Sequence, residues 1–184
     1  MKVLIFSSSP NTDGLTAACA QAAGQGVQNG GAEAEEIRLN DLNIGSCAAC
    51  DNGWGTCRDR HLCDVLDDFQ ALHDRTLQAD AYIFVTPVYW GDLSESLKVF
   101  TDRLRRCEAL RGEESGFYQK PVIMVAAAGG SGNGMITCLA SQERWIQHVK
   151  ARKWDFIPVN RWNREYKLDT IRLAAEAIVQ SERK

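Results

Sequence analysis

The sequence predicts an α/β fold built on a doubly wound, five-stranded parallel sheet, and three observations carry that prediction. Short continuous apolar runs alternate with longer amphipathic stretches, the pattern of repeated βαβ units. The apolar runs lack the alternating polar residues of a half-solvated strand, so their strands are expected to be covered on both faces. The loops after the first, third and fourth runs are rich in hydroxyls, aromatics or glycine, and in such a sheet those loops meet where a ligand binds.

The elements follow in order. Residues 2–6 (KVLIF) are the first buried strand, and the alanine-rich Leu15–Asn29 is a helix weakened by Gly24 and Gly26 and stopped by Gly30 and Gly31. Residues 33–39 form the second strand, with a weaker apolar pattern (Ala34, Ile37, Leu39), and residues 40–63 are irregular. Over 65–78, Val65, Leu66, Phe69, Leu72 and Leu77 recur at helical spacing. Residues 81–85 (AYIFV) are the third strand, ended by Pro87, which has no N–H for the ladder. Helix returns over 93–110, with Leu97, Phe100 and Leu104 as its apolar stripe. Residues 121–127 (PVIMVAA) are the fourth strand, running into GGSGNG and a helix over 135–150; a fifth strand over 155–159 and a helix over 169–179 close the chain. Right-handed crossovers leave two sheet orders, of which 2-1-3-4-5 suits five strands. With no repeat or linker, residues 1–184 are expected to be a single domain with a cysteine-rich insertion around 45–63.

Composition narrows the function. A net charge of -3 disfavours a nucleic-acid or anionic-membrane partner, and no apolar run approaches the length of a membrane span. The apolar start MKVLIF is too short for a secretory signal, and seven cysteines is an odd count for a disulfide framework, so reduced thiols and a cytoplasmic location are expected. Cys19, Cys107 and Cys138 read as small buried apolar residues. His61, His73 and His148 are not grouped with acids or a nucleophile and read as surface residues.

Three loops carry the chemistry. Residues 7–16 (SSSPNTDGLT) place hydroxyls, an amide and a glycine at a helix amino terminus, where free N–H groups and the helix dipole can hold a phosphate without Lys or Arg. Neither a GxGxxG nor a GxxxxGK[ST] motif is present, which argues against a dinucleotide fold and a P-loop. Residues 86–92 (TPVYWGD) set two aromatics at a strand end, where they cover a flat apolar ring, a lid or an oligomer contact. Residues 127–134 (AAGGSGNG) let backbone approach a planar ligand closely. Together they describe a phosphate anchor and a two-sided clamp on a ring.

At this point the sequence resembles the NADPH-dependent FMN reductase and iron–sulfur flavoprotein group of flavodoxin-like proteins. SSPNTDGLT is similar to a GSPRxxGNT phosphate loop, TPVYWGDLSESLKVFTDR to an SPVYW…K…DR stretch, and AAAGGSG to a third flavin loop, in the same order over most of residues 3–134. The resemblance implies that Ser9, Asn11, Gly14, Leu15 and Thr16 surround the phosphate of FMN. It implies that Pro87, Val88, Tyr89 and Trp90 contact the ribityl chain and ring, with Ala128, Gly129 and Gly130 at the ring's other edge. Asn11 stands where the family has arginine and Leu15 where it has asparagine, so the phosphate is held more weakly or through backbone N–H groups. Lys98, Asp102 and Arg103 match family positions and equally read as a structural ion-pair set.

CAACDNGWGTCRDRHLCDVLDD is similar to the family's cysteine segment. Cys47, Cys50, Cys57 and Cys63 offer four thiols that suit zinc or a [4Fe–4S] cluster, or that hold no metal at all, and the gap between the second and third is wider than in the iron–sulfur flavoproteins. Trp54 in the same segment reads as loop core, or as a cover for the flavin or a neighbouring subunit. The expected activity is NAD(P)H-dependent oxidoreduction through FMN, with hydride passing from nicotinamide to flavin and electrons leaving to a small-molecule acceptor such as a quinone or free flavin. No side-chain acid or base is needed beyond the flavin. An iron–sulfur electron carrier and a flavin-free interaction module are the alternatives. A homodimer or homotetramer is expected, because apolar surface near Trp90 and Trp54 calls for a cover.

Overall fold

The computed structural model describes residues 1–182. Five parallel strands form one sheet: β1 (Lys2–Ser7), β2 (Glu33–Arg38), β3 (Ala81–Pro87), β4 (Pro121–Ala128) and β5 (Arg152–Asn160), in the order β2-β1-β3-β4-β5. This is the flavodoxin-like arrangement expected from the sequence. Among the described residues five α-helices lie between the strands, α1 (Leu15–Asn29), the single turn α2 (Thr56–Asp59), α3 (Phe69–Leu77), α4 (Glu95–Glu108) and α5 (Met135–Val149), and a sixth, α6 (Arg164–Ser181), follows β5.

Strand alternation divides the core into two layers. Leu4, Phe6, Tyr82, Phe84, Val122 and Met124 face α3, α4 and α5, where Phe6 stacks on Phe84 at 4.7 Å and Trp145 meets Phe84 edge-on at 5.2 Å. Val3, Ile5, Ile83, Val85, Ile123 and Val125 face α1 and α6. The glycine at position 26 has a packing role that the helix pattern does not reveal. A Cβ there would run into the carbonyl oxygen of Arg172, so α1 and α6 approach at backbone distance.

The structure moves several boundaries. The third helix begins at Phe69, not at residue 65, because the Asp67 carboxylate accepts the Phe69 N–H at 3.0 Å and turns toward Arg103; Leu66 is left fully exposed. β5 and α6 are both longer than expected. His73 is buried, contrary to its expected surface position: its Nε2 lies 2.7 Å from a carboxylate oxygen of the buried Glu108. His148 is exposed and His61 partly so. Cys19, Cys107 and Cys138 are buried as expected. Among the described residues no helix is long and apolar enough to cross a membrane.

Candidate functional site

The parallel ladder puts the three loops on one edge. Ser7 pairs with Val85, Pro87 with Ala127 and Ala128 with Asn160, so the chain leaves β1, β3, β4 and β5 at the same carboxyl border. Side chains then tie the loops together. Ser8 N–H donates to the Val85 carbonyl at 3.1 Å, and Ser96 Oγ at the start of α4 donates to the Ser8 carbonyl at 3.3 Å. Ser94 caps α4 by accepting the Leu97 N–H, and its own N–H donates to Thr86 Oγ1 at 3.1 Å.

The first loop is preorganised and its helix end is open. Ser9 is buried, and its Oγ accepts the Asn11 N–H at 3.2 Å, which bends the loop back over Pro10. Gly14 precedes α1 with no side-chain cap and no acidic residue in the first turn. Among the described residues the first-turn N–H groups of Leu15, Thr16 and Ala17 meet no acceptor, the situation a bound anion resolves. Thr16 is buried beneath them.

The second loop is a tight reversal. Tyr89 and Asp92 exchange two backbone hydrogen bonds, 3.0 and 2.9 Å, and the two residues between them, Trp90 and Gly91, have φ of 51° and 78°. Positive φ at both centres is the type I′ geometry, which asparagine and glycine favour and tryptophan does not. Trp90 is nonetheless held there with its ring fully in solvent. The turn is fastened to α5: Thr137 Oγ1 donates to the Gly91 carbonyl at 2.7 Å, and a Cβ on Gly134 would come within 2.6 Å of the Gly91 Cα. Val88 N–H donates to the Ala127 carbonyl at 3.1 Å, joining this loop to the third.

In the third loop, Ala128 is buried, while Gly129 and Gly130 are exposed and a Cβ on either would meet nothing within 4 Å. Open space thus lies beside that backbone. A cleft lined by Val88, Trp90, Gly91, Ser131, Asn133 and Gly134 runs between the second and third loops. The structure accordingly brings Ser9, Asn11, Gly14, Leu15, Thr16, Pro87, Val88, Tyr89, Trp90, Ala128, Gly129 and Gly130 to one edge of the sheet. A fourth loop, missed in the sequence, joins them. Trp162 lies against Gly132, and its loop is clasped by Asn160 and Asn163: Asn163 Oδ1 accepts the Asn160 N–H at 2.7 Å, and Asn160 Oδ1 accepts the N–H groups of Trp162 and Asn163. The signal was the NRWN run directly after the fifth strand.

The ion-pair set proves structural for Arg103. Its guanidinium is buried, pairs with Asp67 at 2.5 and 3.0 Å, donates to the Gly45 carbonyl at 3.0 Å and lies 4.2 Å over the Phe69 ring. Burial works against the Asp67 carboxylate, but Arg103 and the N–H groups of Gly45 and Phe69 outweigh it and hold its pKa below the ordinary 3.8. Lys98 and Asp102 form an exposed pair one helical turn apart.

The cysteine segment lends the metal reading no support. Cys47, Cys50, Cys57 and Cys63 line one small apolar hollow together with Cys107, and all are free thiols. Among the described residues, however, no group of three or more His, Cys, Asp or Glu side chains stands where it could hold a metal ion. The physical reasons are local. Arg103 Nη2 donates to Cys63 Sγ at 3.1 Å, Cys57 is carried on the α2 turn, and Cys47 faces solvent. The hollow is a thiol-lined pocket and not an assembled zinc or [4Fe–4S] ligand set. Trp54 packs under the Arg106 guanidinium at 4.2 Å and does not line the cleft between the second and third loops.

A 2-1-3-4-5 sheet with an open helix end, an aromatic turn and a glycine edge gathered at its carboxyl border defines a flavodoxin-like protein with a site of the FMN-binding type. The chain belongs to the NADPH-dependent FMN reductase family, whose model matches residues 1–154. It is 30% identical over 152 residues to an iron–sulfur flavoprotein of Methanocaldococcus jannaschii, covering 81% of this chain and 69% of that one. It is 28% identical over 149 residues to an iron–sulfur flavoprotein of Methanosarcina thermophila, covering 81% and 71%. In fold it matches an NAD(P)H:quinone oxidoreductase of Methanothermobacter marburgensis with a TM-score of 0.70 at 20% identity, over 97% of this chain and 96% of that one. Family and fold together make this an FMN-dependent oxidoreductase-like protein.

Proposed function

We propose that this chain holds FMN at the carboxyl edge of its sheet and uses it to pass reducing equivalents from NADPH or NADH to a small-molecule acceptor, a quinone or a free flavin. The observation that carries the reading is the uncapped amino terminus of α1 lying on the same edge as the exposed Trp90 and the open Gly129–Gly130 backbone. The residues fit the group: neutral N–H donors for a phosphate dianion, and an aromatic wall opposite a backbone without side chains for a planar ring. FMN, when bound, supplies the hydride and electron chemistry.

The protein's part is placement and electrostatics. Ser9, Asn11, Gly14, Leu15 and Thr16 surround the phosphate, the N–H groups of α1 meeting its charge. Pro87 and Val88 present backbone along the ribityl chain, and Tyr89 and Trp90 shape the slot in which nicotinamide and acceptor take turns. Backbone N–H groups of residues 129–132 meet negative charge at the edge of the ring. The exposed Trp90, Trp162 and Ile136 leave apolar surface beside the cleft that a second copy of the chain would cover, giving a homodimer or homotetramer.

The deciding experiment is to purify the protein, extract its cofactor, reconstitute it with FMN, and follow flavin absorbance under anaerobic NADPH and NADH in turn. Rapid bleaching, with re-oxidation by a quinone or free flavin, is the expected result. A colourless protein that takes up no FMN would sink the reading. Stoichiometric iron and acid-labile sulfide, with no nicotinamide oxidation, would favour the iron–sulfur carrier suggested by the names of its relatives.

A further inference from the structure

Two helices that pack on each other, α1 and α6, both begin at the carboxyl edge of the sheet, and α6 begins with an arginine that has no counter-charge among the described residues. α1 and α6 cover the same face of the sheet and run in the same direction, each starting at the carboxyl edge. Their contacts fix the alignment. A Cβ on Gly26 would strike Ala175 as well as the Arg172 carbonyl, and one on Gly30 would strike Val179, so α1 and α6 stay in step over at least a full turn. Eleven residues back from Gly26 is Leu15, and eleven back from Ala175 is Arg164 (26 − 11 and 175 − 11). The first residue of α6 is therefore level with the first turn of α1. A second observation agrees: burial pushes the Cys19 thiol, in the second turn of α1, up to about 12, and the Arg164 guanidinium is the charge that opposes this rise.

A cation at this place is electrostatically misplaced. The dipole of α6 opposes positive charge at its first residue, and the neighbouring α1 adds a second positive end. No carboxylate pairs with Arg164 among the described residues, although Glu165 adjoins it in sequence and Asp13 is the one charged residue of the loop over 7–16. The other arginines nearby are engaged: Arg38 pairs with Asp41 at 3.2 Å, and Arg161 stacks on Trp162 at 4.4 Å. A phosphate at the α1 terminus would satisfy both helix ends and the arginine at once.

We propose that Arg164 is the phosphate-recognition residue of this chain, supplying from α6 the positive charge that the loop between β1 and α1 lacks. It lies beyond the stretch that the family model matches, so the assignment comes from the packing of α1 on α6. It rests on the FMN reading above and deepens it: the pocket selects a phosphorylated flavin over its unphosphorylated parent.

The test titrates apoprotein with FMN and, separately, riboflavin, read by flavin fluorescence at low ionic strength. In the wild type FMN should bind well ahead of riboflavin. Arg164→Gln should weaken FMN about tenfold or more, the scale of one charge-assisted contact, and leave riboflavin within about twofold. Arg164→Lys should retain most of the preference and Arg164→Glu should lose more than Arg164→Gln. Arg172→Gln, which removes the same charge from a residue paired with Asp169 farther along α6, should leave the FMN-to-riboflavin ratio unchanged. Arg164 is exposed, so its variants should melt with the wild type, and Arg164→Lys keeps the test informative should one of them not. Equal FMN binding by wild type and Arg164→Gln, or a parallel loss of both flavins, overturns the role of Arg164 while the FMN reading stands. A wild type that binds neither flavin overturns both.

Discussion

Trp90 occupies a backbone conformation that disfavours it. It occupies the first centre of a type I′ turn at φ 51°, where a bulky side chain costs on the order of 1–2 kcal/mol relative to glycine, and its ring recovers nothing from packing because it is fully exposed. Trp90→Gly should therefore keep the Tyr89–Asp92 hydrogen bonds and raise the melting temperature slightly, by roughly 1 kcal/mol of stability. The same change should weaken FMN at least several-fold, because the aromatic wall of the slot is gone. Thermal melts of the apoprotein and FMN titrations read the two effects separately. A destabilised variant, or one with unaltered FMN affinity, would mean that the ring packs on something other than the flavin.

At the scale of elements, the segment between β2 and α3 is held to α4 by one buried arginine. Arg103 reaches Asp67, the Gly45 carbonyl and Cys63, so three points of an otherwise irregular loop converge on a single guanidinium. Removing Asp67 strands that charge in the interior. Asp67→Ala should cost about 3–5 kcal/mol, whereas Arg103→Met, which takes out the buried charge itself, should cost less. Urea unfolding ranks the two, and Ellman titration of Cys63 should quicken in Asp67→Ala as the loop lifts from α4. A reversed ranking would show that the guanidinium is not the anchor. This anchor also marks where sequence legibility ended. Strands such as KVLIF and AYIFV declare themselves because burial on both faces leaves no room for polar residues. The start of α3 was misplaced because Val65 and Leu66 mimic a helical stripe, and only the three-dimensional demand of Arg103 on Asp67 explains why the helix waits until Phe69. The three loops that meet at the carboxyl edge stood out by their unusual composition, but the places of Trp162 and Arg164 in the fold did not. Their relevance depends on which helices lie side by side, and that is a property of the packed sheet rather than of local spacing.

For the molecule as a whole, the two edges of the sheet have opposite tasks, and the amino edge carries a buried charge that links stability to pH. Glu108 at the end of α4 is fully buried and accepts from the Ser115 hydroxyl at 2.9 Å and the Gly116 N–H at 2.8 Å, with His73 of α3 against its other oxygen. Burial is the largest influence and disfavours the carboxylate, yet His73, Gly116 and Ser115 together outweigh it and leave the pKa below the ordinary 4.5. A carboxylate depressed in the folded state stabilises fully above its unfolded pKa, and that contribution is lost as pH falls through the folded value. Stability from this group should therefore be flat from neutral pH down to about 4.5 and decline below it. Glu108→Gln keeps the shape but removes the titration: its stability at pH 7 should fall by about 1–3 kcal/mol, the scale of weakened charge-assisted hydrogen bonds, while its acid decline becomes shallower than the wild type's. Urea unfolding of both proteins between pH 7 and pH 3.5 supplies the comparison. Parallel curves across that range would mean that Glu108 is not the group through which acid loosens the α3–α4 layer, and that the acid response belongs to other carboxylates such as Glu33 and Glu35, paired along β2.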